Sequence, residues 1–155
     1  MLKTFCKKLL KSGNGFTLVE VLVVIFIIGL LASVVLVGLG TFRARGRDAR
    51  RVADLRSVQN ILELYYAKNG EYPISNKWPD LKSVLTGAGI GVNALPNDPL
   101  NDQTYQYAAS SNEQSYLLAA KLEDPDHSVL RDDVDGAGLD NYGVSCDDPV
   151  YCIKF

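Results

Sequence analysis

The sequence predicts an α+β chain, with one long N-terminal helix packed on a small antiparallel β-sheet. Three observations carry this. Between Glu20 and Leu39 only Ser33 has a polar side chain, a run long enough to cross a bilayer as a helix of about 20 residues. From Ala44 to Lys68 there is no proline and Gly46 is the only glycine, while Val52, Leu55, Val58, Leu62 and Tyr65 or Tyr66 recur at spacings of three and four, the period of an amphipathic helix. Finally, Thr104 to Leu122 reads as a hairpin, in which an aromatic, alternating strand ends at Ala109, Ser110 to Gln114 form a polar turn and Ser115 opens the return strand.

The first fifteen residues hold Lys3, Lys7, Lys8 and Lys11 and no acid. The helix is predicted from Phe16 to Lys68, which at 1.5 Å per residue is roughly 80 Å. Asn69-Gly70 supplies its left-handed stop and Pro73 lies just beyond. Glu71-Tyr72-Pro73 opens a loop that leads to a short helix from about Pro79 to Leu85, since proline suits a first helical position. Thr86 to Val92 is glycine-rich and reads as loop, and Leu95-Pro96-Asn97-Asp98-Pro99 as a turn. In the hairpin, Tyr105, Tyr107, Leu117 and Ala119 are expected to share the face packed on the helix. Glu123 to Asp148 is an acidic loop, and Val150 to Phe155 a third strand.

The chain has 16 basic and 18 acidic side chains, a net charge of −2. Without the four leading lysines the balance is 12 to 18, or −6. That acidity, with no basic patch outside the helix, argues against nucleic acid as a partner. The arginines after the apolar run, Arg43, Arg45, Arg47, Arg50 and Arg51, compete with the leading lysines under the positive-inside rule, so charge alone leaves the orientation open. A cleavable secretory signal fits poorly, because the apolar run is too long and starts at Glu20. No catalytic constellation is present, and an enzyme is not expected. His127, in Asp124-Pro125-Asp126-His127, has no nucleophile motif beside it and reads as an exposed loop residue.

Glu20 is the anomaly of the apolar run. A carboxylate near the bilayer centre costs on the order of 2.5 to 3.5 kcal/mol, and less near an interface. No Lys or Arg lies between Phe16 and Phe42, so its partner must be a backbone amine, another subunit or interfacial water. The lysine-rich leader and Gly15-Phe16-Thr17-Leu18-Val19-Glu20, followed by the apolar run, resemble the cleavage and assembly signal of type IV pilins and type II secretion pseudopilins. The likeness is close to about residue 42 and looser to Pro73. Asp98-Pro99 ahead of Tyr105-Gln106-Tyr107 resembles the pseudopilin type, with the G-type major pseudopilin the nearest subclass.

The resemblance implies a pilin-like fold, with a cleaved leader (1–15), a transmembrane and assembly helix (16–42) and a globular domain (43–155) that includes the amphipathic helix to about residue 68. It implies that a prepilin peptidase cuts after Gly15 on the cytoplasmic face and methylates Phe16. Glu20 would neutralise the amine of a neighbouring subunit in the filament. The implied partners are identical or related pilin subunits, the peptidase, and the platform protein and ATPase of a pilus or type II secretion system. The location is a bacterial-type inner membrane crossed once, with the N-terminus cytoplasmic and the C-terminal domain periplasmic or extracellular. The proline common in the family's apolar run is replaced by Val37. A surface pilin for adhesion, twitching or DNA uptake is the alternative, and a tethered binding domain that never assembles is another.

On that topology Cys146 and Cys152 lie where disulfides persist, and a bridge between them is expected. Two free thiols or a metal pair are the alternatives, although only His127 remains to complete a zinc site. Asp132, Asp133, Asp135 and Gly136 imitate part of a calcium loop, with Asp140 as a further candidate oxygen donor. The full EF-hand pattern fails, because Arg131 and Tyr142 fall at its first and twelfth ligand positions. Major pseudopilins hold calcium in a C-terminal loop, so the resemblance makes calcium the one cofactor to expect, against a purely solvated acidic loop.

Overall fold

The computed structural model describes residues 15–136 and 142–155, with the side chains of 34–38 excluded. The leader, but for Gly15, and the side chain at Val37 lie outside the described residues, as does Asp140. The elements are α1 (Leu18–Asn69), α2 (Trp78–Gly87), β1 (Gln106–Ala109), β2 (Tyr116–Lys121), a 3-10 turn (Ser128–Arg131) and β3 (Val150–Lys154). Two compact units divide between Gly40 and Thr41.

In the first unit the helix exposes its apolar side chains, with Leu18, Val19, Ile25 and Phe26 at 60% or more. Among the described residues no helix is long and apolar enough to cross a membrane. The run predicted to do so, Val21 to Leu39, includes the five positions whose side chains are not described.

In the second unit the expected period is met, and Leu55, Val58 and Leu62 are fully buried. They pack with Leu81 and Leu85 of α2 and with Tyr107, Tyr116, Leu118, Ala120, Tyr151 and Ile153 of the sheet. The helix stops as predicted. Gly70, at φ 79°, donates its N–H to the Tyr66 carbonyl at 2.7 Å. α2 starts one residue earlier and ends two later than expected. Trp78 heads it, buried edge-on against Tyr105 at 5.2 Å, and donates Nε1–H to the Pro96 carbonyl.

The sheet is antiparallel in the order β1-β2-β3. Its register corrects one expectation. Tyr107 pairs with Leu118 and Ala108 with Leu117, so Tyr107 and Leu118 face the helix while Leu117 and Ala119 face the other way, into a second cluster with Cys146 and Cys152. A slip of one residue exchanges the faces of a strand. β2 is buried on both faces, so its apolar run does not alternate and the inward face was not readable from it. Buried hydroxyls on the helix side find carboxylates: Tyr72 and Tyr116 donate to Glu63, and Tyr105 donates to Asp54 at 2.7 Å. Burial, chiefly, pushes all three phenols well above their usual range.

Candidate functional site

At the head of α1, Thr17 and Glu20 cap the helix reciprocally. Thr17 donates its backbone N–H to Glu20 Oε2 at 2.9 Å and its hydroxyl to the same oxygen at 2.8 Å, and its Oγ1 accepts the Glu20 N–H at 3.2 Å. This is a capping box, with Thr17 as the cap and Glu20 three residues on. Within the single chain, the partner that Glu20 requires is therefore Thr17. Gly15 and Phe16 precede the first helical residue, and Phe16 is 79% exposed, so the Gly15–Phe16 bond lies in irregular, accessible backbone.

The second unit carries a charged centre where the sequence alone shows a basic cluster after the apolar run. Arg51 is fully buried. It clamps Asp98 through two parallel bonds, Nε–Oδ2 at 2.7 Å and Nη2–Oδ1 at 2.9 Å. Its Nη1 donates to Asp48 at 2.7 Å and to Glu123 at 2.8 Å. Arg47 holds Glu123 from the other side with Nε–Oε1 at 2.7 Å and Nη2–Oε2 at 2.5 Å. The Asp48 carboxylate also accepts the backbone N–H groups of Glu123 and Asp124. One turn of α1 is thus tied to the turn at Asp98 and to the chain leaving β2. Arg47 first, then Arg51, hold the Glu123 carboxyl down to about 2. Arg45 and Arg50 pair at the surface with Asp124 and Asp54.

The third region lies on the far face of the sheet. Cys146 and Cys152 are joined, with Cα atoms 5.8 Å apart, and both are buried against Leu117 and Ala119. Asp133 Oδ2 accepts the Cys152 N–H at 2.8 Å, while its Oδ1 is buried and has no partner among the described residues. Asp133, Asp135 and Asp148 each bring a carboxylate oxygen within 4.8 Å of the others. Burial raises the Asp133 carboxyl above its usual range; the Cys152 N–H opposes this, and the charges of Asp135 and Asp148 add to it.

Of the expected calcium residues, Asp133 and Asp135 are brought together and Asp132 is not. Asp132 ends the 3-10 turn, exposed, at φ −122° and ψ 9°. Asp148, which lies outside the Asp132–Gly136 pattern, takes its place. Only the pairing of β3 and the bridge bring it back to Asp133, and its one local signal was a position between the two cysteines. His127 is half-buried rather than a free loop residue: its Nδ1 accepts the Val129 N–H and caps the 3-10 turn. With Arg131, Asp135 and Asp148 it lines a crevice of about 420 Å³.

Residues 10–36 match the prokaryotic N-terminal methylation motif. The type II secretion system core protein G of Vibrio cholerae serotype O1 is 31% identical over 110 residues, which cover 64% of this chain and 73% of that protein. The chain belongs to the type IV pilin-like family of pseudopilins. The core protein G of Aeromonas hydrophila is 34% identical over 98 residues, 57% of this pilin-like chain and 68% of its own length. A fimbrial protein of Neisseria meningitidis serogroup A is also similar, at 34% over 109 residues, 70% of this chain and 63% of that one. No solved structure matches. Long helix and small antiparallel sheet agree with the fold expected of a pilin-like protein.

Proposed function

We propose that this chain is a structural subunit of a type II secretion pseudopilus or type IV pilus-like filament, assembled through its N-terminal helix. The observation that carries the reading is Gly15-Phe16-Thr17-Leu18-Val19-Glu20 at the head of a helix whose apolar side chains stand exposed. Such a surface needs lipid or other helices to cover it. In this reading residues 16–42 cross a bacterial-type inner membrane once, the leader (1–15) faces the cytoplasm, and the domain (43–155) lies on the periplasmic or extracellular side. A prepilin peptidase removes the leader and methylates Phe16. An assembly ATPase and platform protein then move the subunit into a bundle of identical or related chains, where Glu20 meets the amine of a neighbour. Intact mass of membrane-extracted protein from a host with the peptidase is the test. Loss of residues 1–15 with gain of one methyl group is expected, and retention of Met1 to Gly15 would refute processing.

The acidic loop fits calcium. The buried Oδ1 of Asp133, unpartnered among the described residues, and the approach of Asp135 and Asp148 make an oxygen-only donor set suited to a hard cation. Bound there, calcium would offset the mutual repulsion of the three carboxylates. It would stabilise the domain by about 2.7 kcal/mol at a hundredfold excess over Kd. The fimbrial relative and the terminal disulfide favour a second reading, a surface pilin. Filaments on intact cells, with no secretion defect in a deletion strain, would select it.

A further inference from the structure

The disulfide and the carboxylate cluster form one structure. The Cys152 N–H orients Asp133 through a 2.8 Å bond, and Asp148 lies inside the loop that the Cys146–Cys152 bridge closes. The bridged cysteines are themselves buried against Leu117 and Ala119, so the loop is anchored to β2. One of the three converging carboxylates, Asp148, is therefore held within the closed loop, while Asp133 accepts from the backbone of a bridged cysteine that β3 also pairs to β2. Asp135 is the only member that reaches the cluster independently of either cysteine.

We propose that the bridge assembles the cation site, so that forming the disulfide and binding calcium favour one another. This rests on the calcium reading above and adds to it the redox state of the chain as the control of that site. Oxidation is an exchange in which the two thiols reduce one glutathione disulfide to two glutathione thiols, leaving the Cys146–Cys152 bond. The reduced chain loses the closure that holds Asp148 beside Asp133. Calcium must then order that segment itself, and immobilising its side chains lowers the affinity about tenfold. Coupling between two equilibria is reciprocal, so calcium must shift the thiol–disulfide equilibrium by the same factor. A subunit that has formed its bridge would thereby be the one ready to take calcium, and calcium would in turn protect the bridge from reduction.

The test uses the full chain in detergent micelles. Calcium is titrated calorimetrically into the oxidised and the dithiothreitol-reduced protein, with magnesium as the control for screening. In parallel, the oxidised fraction is measured in glutathione buffers with and without calcium. About tenfold tighter calcium binding by the oxidised chain, and a matching shift of the glutathione equilibrium, are expected. Calcium bound equally in both redox states would overturn the coupling while leaving the cation site in place. Calcium bound in neither state would overturn both. Should the reduced chain unfold, Asp148→Asn with the bridge intact supplies the second arm. It should weaken calcium binding about tenfold and reduce the calcium dependence of the glutathione equilibrium, and wild-type values of both would overturn the proposal.

Discussion

Replacing Arg51 with methionine keeps the apolar stem and removes the one cation that Asp48, Asp98 and Glu123 share. Asp48 is fully buried and the Asp98 side chain is 2% exposed, so neither can recover water. Glu123 retains Arg47. Breaking a buried ion pair from one side costs about 3 to 5 kcal/mol, mostly as the penalty of the charges left behind. For a domain of this size 1 kcal/mol moves the melting temperature by about 4 °C, so the midpoint should fall by roughly 12 to 20 °C. The assay is thermal unfolding of the full chain in detergent, followed by near-ultraviolet circular dichroism of Trp78 and the tyrosines packed around it. Arg45→Ala is the matched control: its side chain is 61% exposed and pairs with Asp124 at 3.1 Å, so it should cost at most about 1 kcal/mol. Adding Asp98→Asn to Arg51→Met should recover part of the loss, because it removes a stranded charge and keeps an acceptor for the Leu100 N–H. If Arg51→Met melts within about 4 °C of the wild type, the guanidinium does not hold α1 to the turn at Asp98 and to the chain after β2.

The same centre sets an acid limit. The folded pKa of Glu123, about 2, lies below its ordinary 4.5, so its contribution is complete above about pH 4.5 and is lost as pH falls from there toward 2. Acid unfolding curves should show that loss, and Arg47→Ala should flatten it. For the cation site, millimolar calcium should raise the melting temperature of the wild-type chain relative to EDTA, magnesium should not, and Asp133→Asn should abolish the rise. A calcium effect that survives Asp133→Asn would remove that carboxylate from the site.

Much of this fold was legible because it depends on local signals. The three- and four-residue spacing of Leu55, Val58 and Leu62 gave the buried helix face, Asn69-Gly70 its end, and the polar stretch from Ser110 to Gln114 the hairpin. What was hidden depends on long-range register and two-sided burial. Alternation, the usual mark of a half-buried strand, cannot place Leu117 and Ala119, because the bridge and the acidic loop cover the second face of β2 and leave no polar positions to mark it. Arg51 looked like one more member of a membrane-proximal basic cluster. Its partners Asp98 and Glu123 are 47 and 72 residues away, although Asp48 one turn before it hinted at a role in the fold. Asp148 was missed for the same reason, whereas Asp133 and Asp135 stood out as alternating oxygen donors. The capping box at Thr17 and Glu20 was readable in principle as Thr-x-x-Glu, but the cost of a carboxylate in an apolar run drew attention to partners outside the chain.

That capping box also sharpens the central measurement. Glu20→Ala removes both the cap and the charge; Glu20→Gln keeps an acceptor for the Thr17 N–H and removes only the charge. Loss of a cap costs about 0.5 to 2 kcal/mol and frays one end of a long helix, which insertion should tolerate. Sheared filaments are collected from cells that carry the peptidase, platform protein and ATPase, with membrane-inserted subunit quantified in the same samples. Filaments are expected from the wild-type chain, and none from either variant despite normal insertion. Filaments at wild-type levels from Glu20→Gln would reduce Glu20 to a helix cap, and a wild-type chain that stays an unassembled membrane protein beside working machinery would contradict the filament subunit itself.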